Sequence, residues 1–92
     1  MTFNPFIDEE DVLVEEQVAK SKSIVVYNDD HNTFEHVIYC FNKYCNHNSV
    51  QAEQCALIIH NNGKCSVKEG DIKTLKPIKE ALCENGLTAK IE

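Results

Sequence analysis

Asn28, Asp29 and Asp30 stand together directly after the β-forming run Ile24-Val25-Val26-Tyr27. Carboxylate and amide oxygens accept hydrogen bonds, and an ammonium has only donors to offer, so the triplet has the make-up of a cation or amine site. The same residue types also build a plain turn, because Asn and Asp bond their own backbone. On composition alone both readings stand. His60 is the second polar group of interest. It follows the stripe Ala52, Cys55, Ala56, Ile59 near the end of a helical pattern. There an imidazole is either satisfied by the last helix carbonyls or forms a polar tip at the edge of an apolar pocket.

Other chemistries fit less well. His31, His36, Cys40, Cys45 and His47 raise zinc, and His36 and Cys40 are four apart on one helix face. No further pair with finger-like spacing completes a tetrahedral set, so no metal is expected. A nucleophile would need a base and an orienting group beside it, and no local motif supplies them. Gly63, Gly70 and Gly86 are isolated, so a phosphate loop is absent. An enzyme is not expected, nor a cofactor.

The elements that must position these groups follow from the rest of the chain. Ninety-two residues with 42% hydrophobic content suit one small globular domain. Fifteen acids against nine bases give a formal charge of -6. That balance argues against nucleic acid or an anionic membrane surface as partner, since both need a basic patch. The start, MTFNPFIDEEDVL, shows no basic region followed by an apolar one, and no run approaches a membrane span. Five cysteines without a CxxC pair read as reduced thiols, and a cytoplasmic monomer is expected. Residues 1–22 carry Asp8, Glu9, Glu10, Asp11, Glu15 and Glu16 against only Lys20 and Lys22, with little apolar periodicity. A flexible acidic tail is expected there, and a folded core over 23–92.

Within that core, Ile24–Tyr27 reads as a strand ending in the Asn-Asp turn. Phe34, Val37, Ile38, Phe41 and Cys45 fall on one helical face, with Asn32 or Thr33 able to cap the first turn. Asn46-His47-Asn48-Ser49 breaks this helix and caps the next, which closes at Asn61-Asn62-Gly63. Lys64–Lys68 is a short strand. Gly70-Asp71 opens a third helix carrying Ile72, Leu75, Ile78 and Leu82, in which Pro77 predicts a kink or a start near Lys76. Leu87, Ala89 and Ile91 alternate with polar residues in a last strand. The order β-α-α-β-α-β predicts an α+β domain, three helices against a three-stranded sheet.

These residues together resemble the ClpS adaptor family. The resemblance covers about residues 22–92. It lies in the strand entering Asn28-Asp29-Asp30, in Thr33-Phe34-Glu35-x-Val37-Ile38, in Ala56-x-x-x-His60-x-x-Gly63 and in the terminal Gly86-Leu87-x-Ala89-x-Ile91-Glu92. The resemblance implies an adaptor of the N-end rule. Such a protein binds substrates with a free, large hydrophobic N-terminal residue (an N-degron) and hands them to a ClpA-type AAA+ unfoldase for degradation by ClpP. It further implies that Asn28, Asp29 and His60 meet the substrate's α-amino group and that Asn32 bonds the substrate backbone. Phe34, Val37, Ala56, Ile59 and Leu87 would line the side-chain pocket, and Glu69 and Lys73 would touch the unfoldase. The acidic tail would serve delivery.

Several positions depart from the family pattern. Asn32 stands where Thr is common, Phe34 where Met is frequent, and Ala56 where Met or Leu is usual. A deeper pocket leaning toward Phe, Tyr or Trp is therefore expected. The Lys64–Asp71 stretch is shorter than usual, and Pro77 is unusual. A metal-binding or thiol-redox domain is the alternative from another class, and a ClpS-like module serving a different degradation partner is a third.

Overall fold

A computed structural model describes residues 21–92. Apart from Ser21 and Lys22, the expected tail lies outside the described residues. The elements are β1 (Lys22–Tyr27), α1 (Phe34–Tyr44), α2 (Ser49–Asn62), β2 (Lys64–Gly70), α3 (Ile72–Glu84) and β3 (Thr88–Ile91). The α+β class and the order β-α-α-β-α-β are as expected. β1 begins one residue before the expected core and β2 runs two residues past Lys68.

β1 is the central strand of an antiparallel sheet ordered β2-β1-β3. Its alternation places Ile24 and Val26 in the core at 0% and 2% exposure, while Tyr27 stays half-buried at the end that leads to the Asn-Asp turn. Phe41 of α1, Ala52 and Ile59 of α2, Leu75 and Leu82 of α3, and Ala89 of β3 close over the same side. The β1–β2 register slips between Ile24 and Val25, where Val67 is the extra residue of a bulge. Its side chain is buried and its carbonyl accepts from His47 Nε2 at 2.7 Å. His47, which the sequence offers as part of a helix break and among the His/Cys residues that raise zinc, thus helps cover the edge of β2, with its ring against Phe41.

Local signals set most boundaries. Thr33, not Asn32, caps α1 by accepting from the His36 N–H at 3.0 Å. Asn46 takes a left-handed φ of 61° between the first two helices, and Asn48 caps α2 through the Gln51 N–H. Gly63 ends α2 with φ 94°, its N–H bonded to the Ile59 carbonyl. The third helix opens at Asp71 as expected. It starts at Ile72, capped by Asp71, and runs through Pro77, so of the two readings of Pro77 the start near Lys76 is not found. Pro77 costs α3 one hydrogen bond, and the anchoring of Leu75 and Leu82 in the core holds the helix on both sides of that gap.

Candidate functional site

β1 delivers its last residue, Tyr27, to the start of the Asn-Asp turn, and the ladder is prolonged by one bond. The Asn28 N–H donates to the Gly63 carbonyl at 2.8 Å. That bond sets the C-terminal end of α2, and with it His60, beside the turn. The left-handed φ of Gly63, a conformation that residues with a side chain rarely adopt, lets the chain reverse there. Two sequence segments more than 30 residues apart therefore meet through a backbone contact.

Asp29 organises the turn. Its Oδ1 accepts from the backbone N–H groups of His31 at 3.0 Å and Asn32 at 3.2 Å. The Asn32 Nδ2 donates to both carboxylate oxygens at 3.0 Å, and the Thr88 hydroxyl reaches Oδ2 at 3.4 Å. Partial burial pushes the Asp29 carboxyl up, but the donated bonds from His31 and Asn32 outweigh it and hold the group below its ordinary value. The carboxylate is thus ionised at neutral pH. Among the described residues, neither Asn28 nor His60 makes a side-chain hydrogen bond, and both are exposed.

These groups edge a cleft of about 470 Å³. One end is polar, formed by Asn28, Asp29, Asp30, Asn32 and His60; the walls are Phe34 and Val37 of α1 and Ala56, Leu57 and Ile59 of α2. Leu87 does not line the cleft. It lines an adjoining cavity of about 30 Å³ that shares Asn28, Asp29, Asn32, Val37 and Ile59 with it. Ala56 is 4% exposed, so its methyl leaves depth where a longer side chain would fill the wall. The arrangement can take up a cationic, donor-rich head with an apolar group attached.

Two lining residues lie outside the site set that the resemblance implies. Asp30, the third member of the Asn-Asp triplet, edges the cleft. Leu57, 46% exposed, precedes His60 by three residues and so shares its helix face, a spacing that could have identified it. Glu69 and Lys73 lie elsewhere. Glu69 edges a separate depression of about 380 Å³ with Asn46, His47 and Lys68, which shares no residue with the cleft. Lys73 sits exposed in the first turn of α3.

The histidine and cysteine surplus has structural partners. His36 Nε2 donates to the Asn85 carbonyl at 2.8 Å, which occupies that nitrogen beside the Cys40 sulfur. Among the described residues, no three His, Cys, Asp or Glu side chains converge as a metal site would require. Burial pushes the Cys45 thiol up to about 11 and the Cys55 thiol, which also lies beside Cys65, up to about 12. Both are therefore protonated and poorly nucleophilic at neutral pH. No helix among the described residues is long and apolar enough to cross a membrane.

The family model for the ATP-dependent Clp protease adaptor protein ClpS matches residues 18–90. No curated protein sequence matches the chain. Among solved structures, ClpS2 of Agrobacterium tumefaciens, determined bound to L-phenylalaninamide, superposes with a TM-score of 0.67 at 18% identity. The match covers 79% of this chain and 95% of that one, and shows a shared fold.

Proposed function

The chain belongs to the ClpS family of Clp protease adaptor proteins, and from that premise we propose that it binds proteins whose first residue is large and hydrophobic with a free α-amine, and passes them to a ClpA-type AAA+ unfoldase for degradation by ClpP. The observation that carries the reading is the joining of the Asn28, Asp29 and His60 acceptors to an apolar wall in one cleft. A free α-amine has a pKa of about 7.7–8.0 and is mostly cationic at neutral pH. Its three donors find the Asp29 carboxylate, the Asn28 amide oxygen and an imidazole nitrogen of His60 as replacements for water. An acetylated N-terminus lacks the charge and two of the donors, and would leave these acceptors unpaired. Burying an aromatic or leucine side chain against Phe34, Val37, Ala56 and Ile59, with Leu87 behind, contributes roughly 1.5–3 kcal/mol.

The ligand of the Agrobacterium structure supports the same reading. L-Phenylalaninamide has a free α-amine, a benzyl side chain and an amide in place of the next peptide bond. Its amine suits the polar end of the cleft here and its ring the apolar walls. Glu69 and Lys73 are the residues proposed to meet the unfoldase, residues 1–22 the segment proposed to serve delivery, and the adaptor is proposed to act as a cytoplasmic monomer.

The test is a fluorescence-anisotropy titration with two peptides that begin with Phe and differ only in acetylation of the N-terminus. Micromolar or tighter binding of the free peptide, and none of the acetylated one, is expected. Equal binding of the two would falsify the amine-site reading.

A further inference from the structure

We infer that Asn32 is a positioning residue that clamps the Asp29 carboxylate to the turn before β3, and that it acts on the ligand through Asp29 rather than by touching it. The inference rests on the adaptor reading above. An Asn side-chain amide has two N–H donors. In Asn32 one is shared between the two oxygens of Asp29, each 3.0 Å away, and the other reaches the Gly86 carbonyl at 2.9 Å. Both protons are committed, so no side-chain donor remains for a substrate carbonyl. The Asn32 backbone N–H also goes to Asp29. All three donated groups of this residue are thus directed inward, to the protein's own acceptors.

The far end of the clamp is equally specific. Gly86 has φ +92°, a conformation that disfavours residues with a Cβ, and a Cβ placed there would lie 3.4 Å from Asn32 Oδ1. That separation is an ordinary van der Waals contact, so it is the left-handed φ of the turn between α3 and β3, rather than room for the amide, that calls for glycine. Thr88, two residues on, adds its hydroxyl to Asp29 Oδ2 at 3.4 Å. Oδ1 meets three nitrogens from His31 and Asn32, whereas Oδ2 meets only the shared Asn32 amide and this long Thr88 contact. Oδ2 keeps acceptor capacity for an amine, with its orientation set before the ligand arrives. A single hydroxyl in place of the Asn32 amide would have one proton for two acceptors and could not hold both ends. Preorganisation of this kind lowers the ordering cost of binding.

The experiment compares two probes, L-phenylalaninamide and phenethylamine, which share an amine and a ring but differ in the backbone carboxamide. Their Kd values are measured by competition against the labelled Phe-initial peptide for wild type, Asn32→Ala and Asn32→Asp. Positioning through Asp29 predicts that Asn32→Ala weakens both probes by the same factor, about tenfold. Asn32→Asp, which sets a carboxylate against Asp29 and the Gly86 carbonyl, should weaken both further. A loss confined to L-phenylalaninamide, or tighter binding by Asn32→Asp, would overturn the inference in favour of direct contact. Side-chain amide NMR of wild type tests the clamp even if a variant fails to fold. The Asn32 Nδ2 protons should exchange slowly before ligand is added and shift little afterwards; protection that appears only with ligand overturns it. Wild type that binds while Asn32→Ala is unaffected removes the clamp and leaves the adaptor reading intact. Wild type that binds no free-amine peptide removes both.

Discussion

Replacement of Asp29 separates the charge of the site from its architecture. An ammonium about 4 Å from a carboxylate, at an effective dielectric constant of about 20, is attracted by about 4 kcal/mol. The turn is open to solvent, so screening and the lost hydration of the ammonium reduce this to about 2–3 kcal/mol, or about 30- to 160-fold in Kd. Asp29→Ala also strips an acceptor from the His31 and Asn32 N–H groups and from the Asn32 amide. Water can reach these donors, which limits the stability loss to about 1–2 kcal/mol and the fall in melting temperature to about 5–15 °C. Asp29→Asn is the sharper reagent. It keeps an oxygen for the two backbone donors but carries no charge, and it turns an NH2 toward Asn32 and Thr88. Its melting temperature should fall less than that of the alanine variant while its affinity falls nearly as far. Peptide anisotropy and thermal melting of the same samples measure both. If Asp29→Asn binds the free Phe peptide within about twofold of wild type while remaining folded, the carboxylate charge is not what holds the amine.

Four further outcomes follow from the same geometry. Ala56→Leu should fill part of the cleft wall and shift the Phe-to-Leu affinity ratio by about tenfold toward Leu, since misfit of a methylene or two costs about 1–3 kcal/mol; an unchanged ratio in peptide titrations would place the ring elsewhere. Affinity should fall as pH rises above about 8, where a free amine loses its proton, and a titration that stays flat through that range would refute amine recognition. At the acid end, a carboxyl whose folded value lies below its ordinary 3.8 contributes stability above 3.8 and loses it as pH falls through the folded value. Asp29→Asn should therefore flatten that part of the stability curve, checked by melting across the acid range. Asn48→Ala, which removes the N-cap of α2, should cost about 1 kcal/mol in denaturant unfolding without changing the free-amine to acetylated selectivity.

Where elements begin and end was readable because the signals are local. Thr33, Asn48, Asp71 and Gly63 act within one helical turn of their own positions, and the apolar spacing of α1 follows directly from its period. Pro77 left the course of the third helix open because the local rule counts one lost hydrogen bond, whereas burial of Leu75 and Leu82 is a long-range gain that only the packed domain supplies. His47 was opaque for a related reason. Its role depends on the Val67 bulge, and nothing in the residues around it announces a carbonyl 20 positions away.

For the site, residue types made Asn28, Asp29 and His60 candidates for an amine site, with a plain turn and a helix cap as the other readings, and helical spacing was enough to group Phe34 with Val37 and Ala56 with Ile59. Those are properties of side-chain chemistry and of a single helix face, both written in the chain itself. Only the tertiary structure decided that Asn28 is tied to Gly63 and that Asp30 and Leu57 edge the cleft. It likewise set Leu87 in the adjoining cavity and turned the Asn32 amide toward Asp29 and Gly86. Each of these depends on backbone groups from segments remote in sequence, whose carbonyls and amides are the same at every position until the fold brings them together.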